Sequence, residues 1–189
     1  FCPKMYKGVT HFGSLEDKDF LTTEFLKGIL AFKEHLGPVF IQVSESFSPK
    51  RKEELYNYMS SLPKNLQFFV EVRHPGWYSS NAMKTELFSK LGELNIGAVI
   101  TDTSGRRDCA HMYLSLPKAF IRFVGNSLHA TDHTRIDDWL VRIKYWMDNG
   151  LKELYFFMHM HDEAFSPELT VYLVDKLNML CGLDLIKPT

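Results

Sequence analysis

Long apolar runs are missing from this chain: nothing approaches the ~18 consecutive apolar residues that a membrane-crossing helix needs, so no membrane association is expected. Cysteine is scarce. The three present, Cys2, Cys109 and Cys181, are scattered, odd in number and without CxxC or Cys/His spacing. That excludes a disulfide framework or a zinc module and fits a reducing, cytoplasmic setting. Neither sign of charge dominates, since 22 Lys plus Arg face 23 Asp plus Glu for a formal charge of −1. With no block of like charge, the chain has no nucleic-acid signature and no polybasic membrane signature. It also lacks the GxGxxG and GxxxxGK[ST] cradles that would announce a nucleotide cofactor, and the GxSxG turn of a serine hydrolase.

What remains is an ordinary globular composition, 45% hydrophobic and 24% charged over 189 residues, enough for one sizeable core. Strand and helix signals alternate along its whole length. Apolar, β-branched runs at residues 1–5, 39–43, 68–72, 96–102, 119–125 and 154–158 predict six strands. Between them, helical spacing predicts helices over residues 17–35, from Ser48-Pro49 to Leu62, from Ser80 or Asn81 to Leu94, from Asp132 or Thr134 to Asn149, and from Ser166 to about Leu180. Residues 103–112 read as polar and turn-rich, with one short helix. No linker or second composition regime interrupts the series, so residues 1–189 read as a single α/β domain. Strands buried on both faces point to a parallel sheet covered by helices.

One stretch concentrates the chemistry: Phe68-Phe69-Val70-Glu71-Val72-Arg73-His74-Pro75-Gly76-Trp77. Pro75 keeps His74 out of helical dihedrals, so the polar residues gather at a strand's end. Side chains alternate faces, which places Glu71 and Arg73 together. Buried, such a pair costs several kcal/mol of desolvation unless partnered. Asp102, Arg122 and His159 also interrupt or end apolar runs. Charges collected at strand ends favour a (β/α)8 TIM-type barrel, whose inward side chains converge at its C-terminal mouth. Six strands leave such a barrel two short at the N-terminus, and Phe1 in place of an initiator Met reads as the start of a fragment.

Several pieces, in order, carry a family resemblance: Thr10-His11; Gly37-Pro38-Val39-Phe40-Ile41-Gln42 followed by Ser46-Phe47; Glu71-Val72-Arg73-His74-Pro75-Gly76-Trp77; Asp102; Ile121-Arg122-Phe123-Val124-Gly125; and Phe156-Phe157 through Ala164 with Pro167. Over essentially the whole chain they resemble the YecE-like proteins, the domain-of-unknown-function family numbered seventy-two. The Glu-x-Arg-His-Pro-x-Trp signature is the most specific match. The resemblance implies a TIM-type barrel and places this chain at its third through eighth strand-helix units, the first two being absent. The chain departs from the family at Val124, where many members have histidine, and at His159-Met160-His161, where many have an Asn-rich turn. No reaction is established for the family, so the resemblance implies a fold and a site without a chemistry.

The candidate catalytic residues are His74, Glu71 and Asp102. A carboxylate beside a guanidinium is held ionised and suits anchoring, whereas imidazole titrates near neutrality and suits proton transfer. Arg73 and Arg122 suit an anionic ligand, because guanidinium pairs bidentately with phosphate or carboxylate. Trp77, Gln42 and His159 complete the candidate binding set, Trp77 either walling a pocket or packing on the rim. His159 and His161, two apart, form a loose metal motif. His111, His129 and His133 fall in polar connections and read as surface residues. Cys109, in a polar turn, carries little nucleophile signal. Two functions fit: an enzyme using acid/base or hydrolytic chemistry on a small anionic, phosphorylated or sugar-like substrate, or a non-catalytic anion-binding protein. Against both stands a structural plug in which Glu71–Arg73 and Asp102–Arg122 pairs satisfy one another.

Overall fold

Five of the six apolar runs become parallel strands in a computed structural model that describes residues 1–103 and 106–188. They are β1 (Val39–Gln42), β2 (Phe68–Glu71), β3 (Ile96–Asp102), β4 (Lys118–Val124) and β5 (Glu153–His159). The strand order is β1-β2-β3-β4-β5, an order with two ends. The expected eight-stranded closed barrel is therefore corrected to an α/β arrangement of five parallel strands. The barrel expectation rested on the family resemblance and on charges at strand ends, and the charges do not discriminate: open parallel sheets also place their polar groups beyond the carboxyl ends of the strands.

Residues 1–5, expected as a sixth strand, form only an isolated parallel bridge from Lys4 to Phe40. Met5 N donates to the Phe40 carbonyl (2.8 Å) and Phe40 N to the Pro3 carbonyl (2.9 Å). Pro3 has no N–H to give, which is one reason the ladder stops there.

Six α-helices accompany the strands among the described residues: α1 (Lys7–Thr10), α2 (Asp19–Ile29), α3 (Lys52–Ser61), α4 (Asn81–Glu93), α5 (Ala130–Asp148) and α6 (Ser166–Cys181). The helix expected over residues 17–35 ends early, because residues 30–35 tighten into a 3₁₀ turn containing Lys33 at φ 50°. Ser80 caps α4 as expected, accepting from Met83 N at 3.1 Å. For α5 the cap is His129, which accepts from Thr131 N, and Asp132 lies inside the first turn instead. Of the turn-rich segment expected at 103–112, Ser104 and Gly105 lie outside the described residues, while a short 3₁₀ helix spans Arg107–Cys109.

Contacts divide the chain into two compact units: Phe1–Ile100 with His111–Leu116, and Thr101–Ala110 with Pro117–Thr189. In the first, β1 pairs with β2 and β2 with β3, and all three strands are buried along their length. Their side chains join Phe47, Leu55, Met59, Trp77, Leu87 and Leu91 in a continuous apolar cluster. At about 1.5–3 kcal/mol per large side chain, such burial is the main stabilising contribution. In the second unit, β4 pairs with β5 in full register from Lys118–Glu153 to Val124–His159. Phe123, Ile136, Trp139, Leu140, Ile143, Leu169 and Leu173 are buried there. Trp139 and Trp146, seven apart, share a helical face as their spacing predicts, with ring centroids 6.1 Å apart.

His111 is a correction to the surface expectation. It is buried in the first unit, with its ring 4.7 Å from Phe88 and 5.7 Å from Tyr78, and Nε2 lies 3.1 Å from the Val99 carbonyl oxygen. Burial pushes its pKa down to about 4. The native state therefore holds this imidazole neutral while the unfolded chain, at ~6.5, takes up a proton first. Stability should fall by about 3 kcal/mol as pH drops from 6.5 to 4 on this account. Denaturant unfolding of wild type and His111→Gln across that window measures it, and the difference between the two should shrink toward low pH.

Candidate functional site

The predicted site residues divide between the two units. In the first, the carboxyl ends of β1 and β2 lie abreast, with Gln42 and Glu71 as register partners. Both are buried, Glu71 almost completely. Gln42 Oε1 accepts from Lys4 Nζ at 2.7 Å. Arg73 faces two carboxylates: its Nη2 lies 2.8 Å from Glu45 Oε1, and its Nε lies 3.6 Å from Glu71 Oε1. The expected Glu71–Arg73 proximity is present, loosely, with Glu45 as an unforeseen closer partner. His74 caps the 3₁₀ turn Pro75–Tyr78, its Nδ1 accepting from Gly76 N at 3.0 Å. Trp77 is wholly buried and donates its indole N–H to the Phe47 carbonyl at 2.8 Å, a packing position.

The second unit builds a denser polar knot around Asp102, the last residue of β3 and 2% exposed. Arg107 Nη1 donates to Asp102 Oδ1 at 2.6 Å, and Trp139 Nε1 donates to Oδ2 at 2.8 Å. Arg135, from the second turn of α5, sits 3.0 Å from Oδ1 and donates to the Asp102 and Val124 carbonyls. Its guanidinium lies 4.2 Å over the Phe123 ring and 3.4 Å from Asp132 Oδ1. Asp102 is thus neutralised by Arg107 and Arg135. Arg122 is half-buried in β4, on the strand face opposite Phe123. His159, at the end of β5, lies 3.5 Å from Glu163, and both side chains are substantially exposed.

Above this knot is a cavity of about 370 Å³ lined by Arg107, Val124, Gly125, Asn126, Thr131, Arg135 and His161. The 126–128 turn leading to α5 is wound tightly: Ser127 and Leu128 both take left-handed dihedrals, φ 51° and 65°. Each such residue costs roughly 1–2 kcal/mol without glycine. The turn is fastened by Asn126 N donating to the buried Asp132 Oδ2 at 2.7 Å. A Cβ on Gly125 would come within 2.4 Å of Met160 Sδ and 3.2 Å of Asp132 Oδ2, so any side chain there would require Met160 to move. The two arginines differ in freedom, the Arg135 side chain being 18% exposed and that of Arg107 66% exposed. The cavity therefore has one fixed and one solvent-facing guanidinium, a pair suited to an anion.

A family profile described as "Protein of unknown function DUF72" matches residues 1–185. The chain belongs to the DUF72 family. It is 26% identical to UPF0759 protein YecE of Escherichia coli K12 over 195 residues, which is 94% of this chain and 71% of that protein. Among solved structures it is similar to a DUF72 protein of Enterococcus faecalis V583, with TM-score 0.70 and 17% identity over 97% of this chain and 78% of that one. Another DUF72 protein, from Thermotoga maritima MSB8, gives 0.68 and 19% over 94% and 72%. No helix among the described residues of this DUF72 chain is long and apolar enough to cross a membrane.

Arg107 and Arg135 are the residues that sequence reasoning passed over. Arg135 stands three residues after Asp132 on a helix, which reads as an ordinary surface pair, and its contact with Asp102 spans 33 residues. Its one sequence signal is placement in the first turns of a helix that follows a strand ending in glycine. Removing the shared carboxylate takes the counter-charge from the largely buried Arg135 guanidinium and the acceptor from the buried Trp139 indole N–H. Asp102→Ala should therefore cost about 3–5 kcal/mol in urea unfolding, more than Asp108→Ala on the exposed turn beside it.

Proposed function

We propose that this DUF72 chain binds a small anionic ligand, phosphorylated or sugar-acid-like, in the Arg107–Arg135 cavity at the carboxyl end of β4. The observation that carries the reading is the pairing of a clamped and a solvent-facing arginine at one opening. Asp102 acts as a positioning residue: its carboxylate is taken by Arg107, Arg135 and Trp139, which holds it to anchoring. For an enzyme working by acid/base chemistry, His161 is the lining residue of the right class, imidazole being the side chain that exchanges protons near neutral pH. Thr131 and Asn126 supply neutral hydrogen-bonding groups around it.

A second reading, a non-catalytic anion-binding protein, is favoured by the same engagement of Asp102, since an anchored carboxylate leaves the cavity with a single imidazole for proton transfer. Calorimetric titration with inorganic phosphate and a panel of sugar phosphates tests the binding. Arg107→Ala should weaken it about ten-fold or more, the loss of one charge-assisted hydrogen bond, and Arg107→Lys should recover part. Equal affinity in wild type and Arg107→Ala would overturn the reading. Conversion of a bound ligand by wild type, lost in His161→Gln while binding persists, marks the enzyme; binding without conversion marks the binder.

A further inference from the structure

The amino end of β5 carries an apolar cavity that the anion reading does not touch, and two glycines shape it. α5 stops at Asp148, and Gly150 at φ 97° turns the chain, with Leu151 N donating to the Trp146 carbonyl at 2.9 Å. α6 stops at Cys181, and Gly182 at φ 66° turns the chain again. A side chain would strain either turn. Asn178 then holds the segment after Gly182 by its backbone: Nδ2 donates to the Leu185 carbonyl at 3.1 Å, and Oδ1 accepts from Leu185 N at 2.8 Å. Lys187 pairs with Asp175 on α6 at 2.6 Å. The end of the chain is thus fastened along α6 and walls a cavity of about 250 Å³.

Its apolar lining is aliphatic throughout. Met147 and Leu151 come from the end of α5 and the turn after it, Leu154 from β5, Leu177 from α6, and Leu183 and Leu185 from the fastened segment. Leu185 is still 42% exposed, so apolar surface remains to be covered. The other two lining residues, Lys152 and Glu153, are charged and differ in engagement. Glu153 is taken by Lys118 Nζ at 2.7 Å and by the Tyr155 hydroxyl at 2.6 Å. Lys152 is exposed, and among the described residues no carboxylate pairs with its ammonium. We infer that this cavity binds a free aliphatic carboxylate of medium chain length, its hydrocarbon among the leucines and its carboxylate on Lys152. A cavity of about 150 Å³ with apolar walls already accepts a small hydrocarbon, and this one is larger. The unengaged ammonium selects an anionic head, while Glu153, neutralised in place, does not repel it. A phosphate or a sugar finds no second cation and no neutral hydrogen-bonding side chain among the lining residues, so the ligand class differs from that of the Arg107–Arg135 cavity.

Calorimetric titration of the full chain with butanoate, hexanoate and octanoate tests the site. Affinity should rise along the series by about four-fold per added methylene, as burial of the chain requires. Octylammonium, with the chain of octanoate and the opposite charge, should bind at least about ten-fold more weakly. Lys152→Ala should weaken octanoate by about ten-fold, the loss of one charge-assisted contact. Leu185→Asp, which sets a carboxylate on the wall, should abolish its binding. Lys152 and Leu185 are both exposed, so both variants should fold. Arg107→Ala should bind octanoate as wild type does, which separates this site from the Arg107–Arg135 cavity. No octanoate binding, equal affinity for butanoate and octanoate, indifference to Lys152→Ala, or loss of binding in Arg107→Ala would overturn the inference.

Discussion

A carboxylate buried at the end of a parallel strand has to be neutralised where it stands, and Asp102 is neutralised by the two arginines of the second unit. Isolated, the ion would cost several kcal/mol. Its two oxygens instead tie together groups from three places: Arg107 on the short turn after β3, Arg135 on α5 and the Trp139 indole one turn further along. Arg135 adds the Asp132 carboxylate and the Val124 carbonyl, so the end of β4, the tight 126–128 turn and the start of α5 are held in one network. The shape of the cavity follows from these bonds.

The parts of the fold set by local pattern were legible in the sequence. The β3 run from Ile96 to Asp102 was read with its boundaries intact, and the Ser80 cap and the Ser166 start of α6 are visible as residue types at the right offsets. Strand count failed at residues 1–5, where an apolar, strand-like reading ignored what one proline does to a ladder. Closure failed for a different reason. Charge at strand ends is a property of parallel sheets in general, and no local pattern says whether the last strand meets the first.

Of the candidate polar residues, Asp102 was legible in the sequence and its arginine partners were not. Asp102 stood out because a charge ending an apolar strand is unusual. Its partners did not, because Arg135 lies on a helix that also carries Asp132, Asp137 and Asp138. His111 was misread for the converse reason: its sequence neighbours are polar, whereas its spatial neighbours, Phe88 and Tyr78, come from more than twenty residues upstream. In each case the informative contact is long-range. Similarity to the DUF72 structures, at 17% and 19% identity, carries the fold alone, so the chemistry has to be read from these side chains.

For the anionic ligand proposed above, the unequal exposure of the two cavity arginines would separate arrival from residence. A charge that stands in solvent, as Arg107 does, influences how often an anion arrives and is sensitive to salt. A charge clamped beneath the opening, as Arg135 is, acts after arrival and governs how long the anion stays. For the proposed ligand, arrival and residence would thereby fall to different residues, both held by the same carboxylate.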